Sequence, residues 1–473
     1  MNTIQRIFKN TGVLFIAQII NYSLAFFYTI YLARYLGVEE FGVLSFGLSF
    51  TLLMGVIADL GLSILTVREI ARDKTISQHY TGNIIVLKLI LCAVTLAFII
   101  LFINILNYPT QTIYVVYILG FWMVFTSFTQ LFFSVFQAYE KMEYQGVGII
   151  LPGIILLFGV FYGISNNFSI LWFALIYLIS SLIGLISVLI IYLVKFPMPQ
   201  LGINWDFWKS KMLIALPLSI ASIFSTIAFR VDTVLLSLLQ GDAAVGWYSA
   251  SYKIIEILLF IPIVYNTAIF PVLSKFYVSS HESIKLVYAK SIKYLIILGL
   301  PLAAGITILS NDIILILYQS EFAPSVITLQ ILIWTIPLIL LTMIFSYFLI
   351  SMNKQVLIIR LTFIYMIFNI AVNLVVIPQF SYIGASVVTV LSELLNFIML
   401  YYYLSKFICK VPIAKYVWKP VLATGIMTVF MSVVNINIFI LVLISAILYL
   451  GLLILFKTFS ESDVYLIKKL VAR

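Results

Sequence analysis

The chain has 473 residues, of which 64% are hydrophobic and 9% charged, with a formal net charge of +10. A soluble domain carries about a quarter charged residues, so this composition excludes a water-exposed globule. Cys92 in an apolar run, Cys409 in a basic loop and two histidines supply no disulfide framework, metal motif or cofactor site, and basic residues scattered over short loops argue against a nucleic-acid partner.

A helix that crosses a bilayer needs about 20 apolar residues. On that criterion the sequence predicts an all-α membrane protein with fourteen spans: 10–34, 40–66, 83–106, 112–138, 145–165, 168–194, 211–238, 246–273, 289–311, 325–351, 356–377, 382–405, 414–434 and 437–457. The first run is longer than the roughly 7–15 residues of a signal-peptide core and has no small-residue cleavage site, so it reads as an uncleaved anchor. No stretch between spans is long enough for a soluble domain. Prolines 152, 217, 262, 271, 301 and 337 fall inside spans, where each removes a backbone donor and favours a kink. After the last span, SESDVYLIKKLVAR puts Val464, Ile467 and Val471 on one face and Lys468 and Lys469 opposite, the pattern of an interfacial helix.

Short cationic loops stay in the cytoplasm. With the N-terminus inside, all 27 Lys and Arg residues except Arg34, Lys88, Arg230 and Lys253 fall in inner segments, from Arg6 and Lys9 to Lys468, Lys469 and Arg473. The outer loops hold Arg34 at a helix end and the acids Glu39, Glu40, Asp242, Asp312 and Glu321. This alternation predicts that both termini are cytoplasmic, and the expected location is the plasma (inner) membrane.

An internal repeat sets the expected architecture. GVEEFGVLS, with Gly37, Gly42 and Ser45, returns as GDAAVGWYS, with Gly241, Gly246 and Ser249, all three positions at one spacing. Phe168, Ser169 and Ser180 likewise match Phe380, Ser381 and Ser392. Two six-helix lobes, 1–200 and 201–410, are expected. An even number of helices makes the repeat parallel, about an axis along the membrane normal. Residues 411–473 add two helices and the tail. The competing explanation is that small residues recur at tight turns.

Ionisable side chains within the membrane cost at least about 2.5–3.5 kcal/mol, so they face a cavity or a partner. The candidates are Lys88, Arg230 and Lys253, and the acids Asp59, Asp232, Glu256 and Glu393. From about 1.5 Å rise per residue, Arg230, Asp232 and Lys253 lie roughly 9–12 Å below the outer surface, and Glu256 and Glu393 near the midplane. Asp59 and Lys88 lie toward the cytoplasm, where Lys88 is placed to snorkel. Arg230 and Asp232, two apart on one helix, cannot face each other, whereas Lys253 and Glu256 are spaced to pair. The functional reading gives Arg230, Lys253 and Lys88 an anionic substrate, and gives Asp232, Glu256, Asp59 and Glu393 a coupling ion or a cavity charge. The alternative is an ion-pair network that fixes helix packing.

The passage FRVDTVLLSLLQGDAAVGWYSASYKIIE, residues 229–256, resembles the seventh and eighth helices of the polysaccharide-biosynthesis export family. YLARYLGVEEFGVLSFG and DLGLSILTVREIARD resemble its N-terminal pattern, and IPQFSYIGASVVTVLSE, ending at Glu393, extends the resemblance over most of the first twelve helices. It implies a Wzx-type oligosaccharide flippase of the multidrug/oligosaccharidyl-lipid/polysaccharide exporter superfamily. The implied partners are an isoprenoid diphosphate-linked glycan in a cationic central cavity, membrane lipids, and a coupling proton or sodium ion. A multidrug exporter of the same superfamily would share the fold, with a cavity suited to organic cations. A membrane glycan polymerase or ligase would handle the same lipid-linked substrate, but such enzymes present a sizeable catalytic outer loop. Here the longest outer loop is roughly Asp312–Pro324, and both His79 and His281 map to the cytoplasmic side.

Overall fold

A computed structural model describes residues 3–266, 269, 273 and 281–459. Pro271, Lys275 and the expected interfacial helix of the tail lie outside these residues. Among those described there is no β-strand. The helices are α1 (Thr3–Asp59), α2 (Leu62–Arg72), α3 (Ser77–Ile105), α4 (Thr110–Ala138), α5 (Met142–Ser165), α6 (Ile170–Lys195), α7 (Trp205–Gln240) and α8 (Asp242–Leu258). They continue as α9 (His281–Tyr318), α10 (Ser325–Leu332), α11 (Thr335–Ser351), α12 (Gln355–Phe407), α13 (Ile413–Val433) and α14 (Ile438–Leu455). Twelve helical runs among the described residues are long and apolar enough to cross a membrane. Two of these, containing α1 and α12, are each a pair of helices meeting at a non-helical residue, Gly37 and Ser381 respectively.

The turns follow from local chemistry. Asn107, Asn167 and Asn353 end helices with φ of 54°, 53° and 58°, the left-handed region that asparagine tolerates. The Asn204 side chain accepts from Phe207 N at 3.0 Å and starts α7, and Asn437 does the same for Phe439 N at the start of α14. Gly37 (φ 72°, ψ −176°) and Gly241 (φ 84°, ψ −177°) share one backbone conformation, which costs glycine no Cβ clash and which Gln319 also adopts at φ 72°, ψ −178°. The second pair of repeat landmarks differs: Ser169 caps α6 at φ −73°, whereas Ser381 sits in a kink at φ 49°.

The expected span 40–66 is divided. Leu60 (φ 41°) and Gly61 (φ 84°) break the helix after Asp59, and α2 starts again at Leu62. Gly61 packs so closely on α7 that a Cβ there would lie 2.6 Å from the Ala215 carbonyl oxygen. The expected span 325–351 is interrupted at Ile333 and Trp334, where Pro337 brings no N–H to the Ile333 carbonyl.

Two compact units form, one from Met1–Lys253 with Thr362–Ala385 and the other from Ile254–Leu361 with Ser386–Arg473. In the first unit, one core gathers Leu62, Tyr80, Leu131, Phe136, Tyr192 and Trp208, and a second gathers Leu32, Leu44, Leu119, Phe173 and Tyr177. The segment between α6 and α7 is fastened to α3. Gln200 N donates to Gln78 O at 3.0 Å, Tyr192 Oη donates to Pro197 O at 3.0 Å, and Trp208 Nε1 donates to Asn83 O at 3.1 Å. Gly82 makes this approach possible, since a Cβ there would fall 1.8 Å from the Gln200 carbonyl oxygen. In the second unit, α9 packs with α13 and α14 through Leu309, Met427, Met431, Leu441, Tyr449 and Leu453.

Candidate functional site

The first unit brings three helices together at Asp232. This carboxylate, on α7, is 3% exposed. It accepts hydrogen bonds from Tyr248 Oη of α8 at 3.2 Å and from Asn373 Nδ2 of α12 at 2.8 Å. Asn373 Nδ2 also lies 3.4 Å from Asn369 Oδ1, one turn earlier, and among the described residues no hydrogen-bond donor reaches Asn373 Oδ1. Low dielectric makes such a network strong when satisfied and costly when broken. Tyr248 and Asn373 thus reach Asp232 from two helices other than its own. Tyr248, Asn369 and Asn373 were not among the sequence candidates; the sign that would have found the last two is an i, i+4 asparagine pair inside the apolar run IFNIAVNLVVI.

Arg230 is half-buried, with its guanidinium carbon 5.0 Å from the centre of the Phe229 ring, a cation–π contact that keeps a desolvated guanidinium favourable. Lys253 is half-buried on α8, one turn before the half-buried Glu256, and Glu393 is half-buried on α12. The short turn at Gly241 joins α7 to α8, so Arg230 and Lys253 belong to consecutive helices of one hairpin.

Asp59 and Lys88 form a separate pair. Lys88 Nζ lies 2.6 Å from Asp59 Oδ1, and the lysine side chain is 0% exposed. Ser63 adds a hydrogen bond from its hydroxyl to Asp59 Oδ1 at 2.5 Å, with its amide 3.5 Å from Oδ2. Lys88 thus does not snorkel. The break at Leu60 and Gly61 turns Asp59 toward α3, and the ammonium is held inside the protein by a carboxylate 29 positions earlier in the chain.

At the end of this unit expected to face the cytoplasm, Glu69 of α2 accepts from Lys211 Nζ of α7 at 2.6 Å and from Arg68 at 3.0 Å. The Lys211 hydrogen bond, ahead of the opposing effect of burial, holds the Glu69 carboxyl below its ordinary value. Lys211 also lies over the Tyr80 ring at 5.4 Å and the Phe207 ring at 5.6 Å.

This helical architecture has relatives. The family described as "Polysaccharide biosynthesis protein" matches residues 7–277, more than half of the chain, and the MatE family matches residues 217–375. "Probable low-salt glycan biosynthesis flippase Agl15" of Haloferax volcanii is 25% identical over 95% of this chain and 96% of its own length. "Capsular polysaccharide biosynthesis protein CapF" of Staphylococcus aureus is 22% identical over 84% of this chain and 98% of its own. Among solved structures, "Lipid II flippase MurJ, inward closed conformation" superposes with a TM-score of 0.79 at 15% identity, covering 94% of this chain and 98% of that one. An inward-facing multidrug resistance MATE family transporter gives 0.65 at 16% identity, covering 82% and 94%. The structural likenesses establish a shared fold, and the sequence match establishes descent: the chain belongs to the polysaccharide biosynthesis protein family.

Proposed function

We propose that this protein is a flippase that carries a lipid-diphosphate-linked oligosaccharide from the cytoplasmic to the outer leaflet of the plasma membrane by alternating access, driven by a coupled ion. The carrying observation is family membership together with two cations, Arg230 and Lys253, on consecutive helices within the membrane. A pyrophosphate linkage has about two negative charges, and its removal from water requires opposing charge and donors close by. Arg230 offers a planar fork and Lys253 a point charge. Lys88 drops out of the substrate set, because Asp59 holds its ammonium.

For coupling, the best-supported residue is Asp232. Protonation or a bound cation would change the charge that Tyr248 and Asn373 now satisfy, and Asn373 Oδ1 is a further acceptor for either. Glu256 and Glu393 are secondary candidates, and Asp59 is committed to Lys88. In this reading the two six-helix lobes, 1–200 and 201–410, are the rocking elements, and both termini are cytoplasmic. Reported structures titled inward-facing and outward-facing for MATE transporters of this fold support such an exchange of states. The MatE match over residues 217–375 supports a second reading as a multidrug exporter.

The test replaces each base singly, Arg230→Gln and Lys253→Gln. It measures membrane-inserted, monodisperse protein and translocation of the lipid-linked glycan. Normal insertion with lost translocation is the expected result. Normal translocation in both variants removes the substrate role, and organic-cation efflux without glycan translocation favours the exporter.

A further inference from the structure

Helix α9 contains Pro301. In an α-helix the amide of residue 301 would donate to the carbonyl of residue 297, and proline has no amide hydrogen to give. Inside a membrane an orphaned carbonyl finds no water, so another group must supply the donor. That group is a side chain from the far end of the sequence: Tyr449 Oη of α14 donates to Ile297 O at 2.8 Å. Tyr449 is 5% exposed.

The segment around the proline is also gripped by shape. On α9, Gly299 packs against α11 so tightly that a Cβ would stand 3.0 Å from Pro337 Cα. About two turns further along α9, Gly305 faces the methyl groups of Met427 and Met431 of α13, which a Cβ there would meet in ordinary contact at 3.9 and 4.0 Å. Met427, Met431 and Tyr449 belong to one buried cluster with Leu309 of α9. In the proposed repeat the counterpart of α9 is α3, and Ser77–Ile105 contains no proline. The proline therefore occurs at the α9 position, in the half that carries the two additional helices, and not at the α3 position of the half that lacks them.

We propose that the C-terminal helix pair, α13 and α14, is a clamp on α9 at Pro301, with the Tyr449 hydroxyl standing in for the amide that proline lacks. The pair then belongs to the mechanics of α9 instead of being a peripheral anchor. Because the proposal concerns the geometry of α9, it stands or falls independently of the transported substrate.

A double-mutant cycle on the full-length protein in detergent tests this. Tyr449→Phe removes one hydroxyl and keeps the ring. Pro301→Ala restores the amide that can satisfy Ile297 O. In the native Pro301 background, Tyr449→Phe should raise the unfolding equilibrium constant roughly three- to tenfold, the range of interhelical hydrogen bonds in membranes. It should also speed hydrogen exchange in the peptide spanning 296–306. In the Pro301→Ala background the same change should have less than half that effect. An equal effect in both backgrounds, or none in the native one, overturns the proposal. If Pro301→Ala does not fold, hydrogen exchange still decides. Faster exchange at 296–306 in Tyr449→Phe but not in Ser445→Ala, one turn earlier on the same helix, supports the clamp. Equal acceleration in the two, or none, refutes it.

Discussion

Replacing Gly42 by alanine adds one carbon where two backbones touch. A Cβ at Gly42 would lie 1.9 Å from the Asp242 carbonyl oxygen, 2.7 Å from its carbon and 3.1 Å from Gly246 N. All three are main-chain atoms, so no rotamer change relieves the clash. Ordinary contact begins near 3.4 Å, and the second half of α1 must therefore move from the start of α8 by about 1.5 Å, an overpacking cost of about 1–3 kcal/mol. The contact is reciprocal, because a Cβ at Gly246 would stand 2.2 Å from the Val38 carbonyl oxygen. Gly42→Ala should lower the unfolding midpoint of the purified protein. It should also expose a cysteine placed at Ser249, which is 6% exposed, to a polar thiol reagent, with Cys92 and Cys409 first replaced by serine. Gly246→Ala added to Gly42→Ala should cost less than it does alone, since the backbones are already apart. Gly12→Ala, with nothing within 4 Å, is the control. An unchanged midpoint and unchanged labelling, or an equal response to Gly12→Ala, would refute the reasoning.

Removing one member of the Asp59–Lys88 pair leaves an uncompensated charge in the membrane; Lys88→Met alone should destabilise by about 3–5 kcal/mol, and adding Asp59→Asn should recover most of that loss in a thermal or denaturant titration. The Glu69 carboxyl is held below its ordinary value of 4.5, first by the Lys211 hydrogen bond. Its contribution to stability is thus fully present above that value and is lost as pH falls through the lower folded-state value. Midpoints measured across this acidic window should fall less steeply for Glu69→Gln than for the native protein, and identical slopes would count against the pairing.

The parts of the molecule legible in the sequence are those written in short-range pattern. Apolar runs of bilayer length gave the helices, and the repeated glycine spacing pointed to Gly37 and Gly241, which share one conformation. The break at Leu60 and Gly61 was hidden inside a run of bilayer length, where Asp59 read as an intramembrane charge, and the close approach of α7 at Ala215 that needs a glycine there comes from far along the chain. Asp59 and Lys88 were each recognised as intramembrane charges, yet no local spacing joins residues on different helices. Asn369 and Asn373 escaped because a search for charge passes over amides, although a buried amide is the donor Asp232 uses. Ile297 is a plain apolar residue in sequence; only the missing amide of Pro301 makes its carbonyl a binding group.

The fastening of residues 196–204 to α3 bears on how force passes along the chain. A connector stitched down at Gln200, then at Trp208 just inside α7, has no slack to take up a rotation. A displacement of α7 would not be absorbed there as in a loose tether. Within α7 the residue that cannot complete the helical ladder is Pro217. Bending at this joint would fall within α7, at a position set by one imino acid, instead of in the connector.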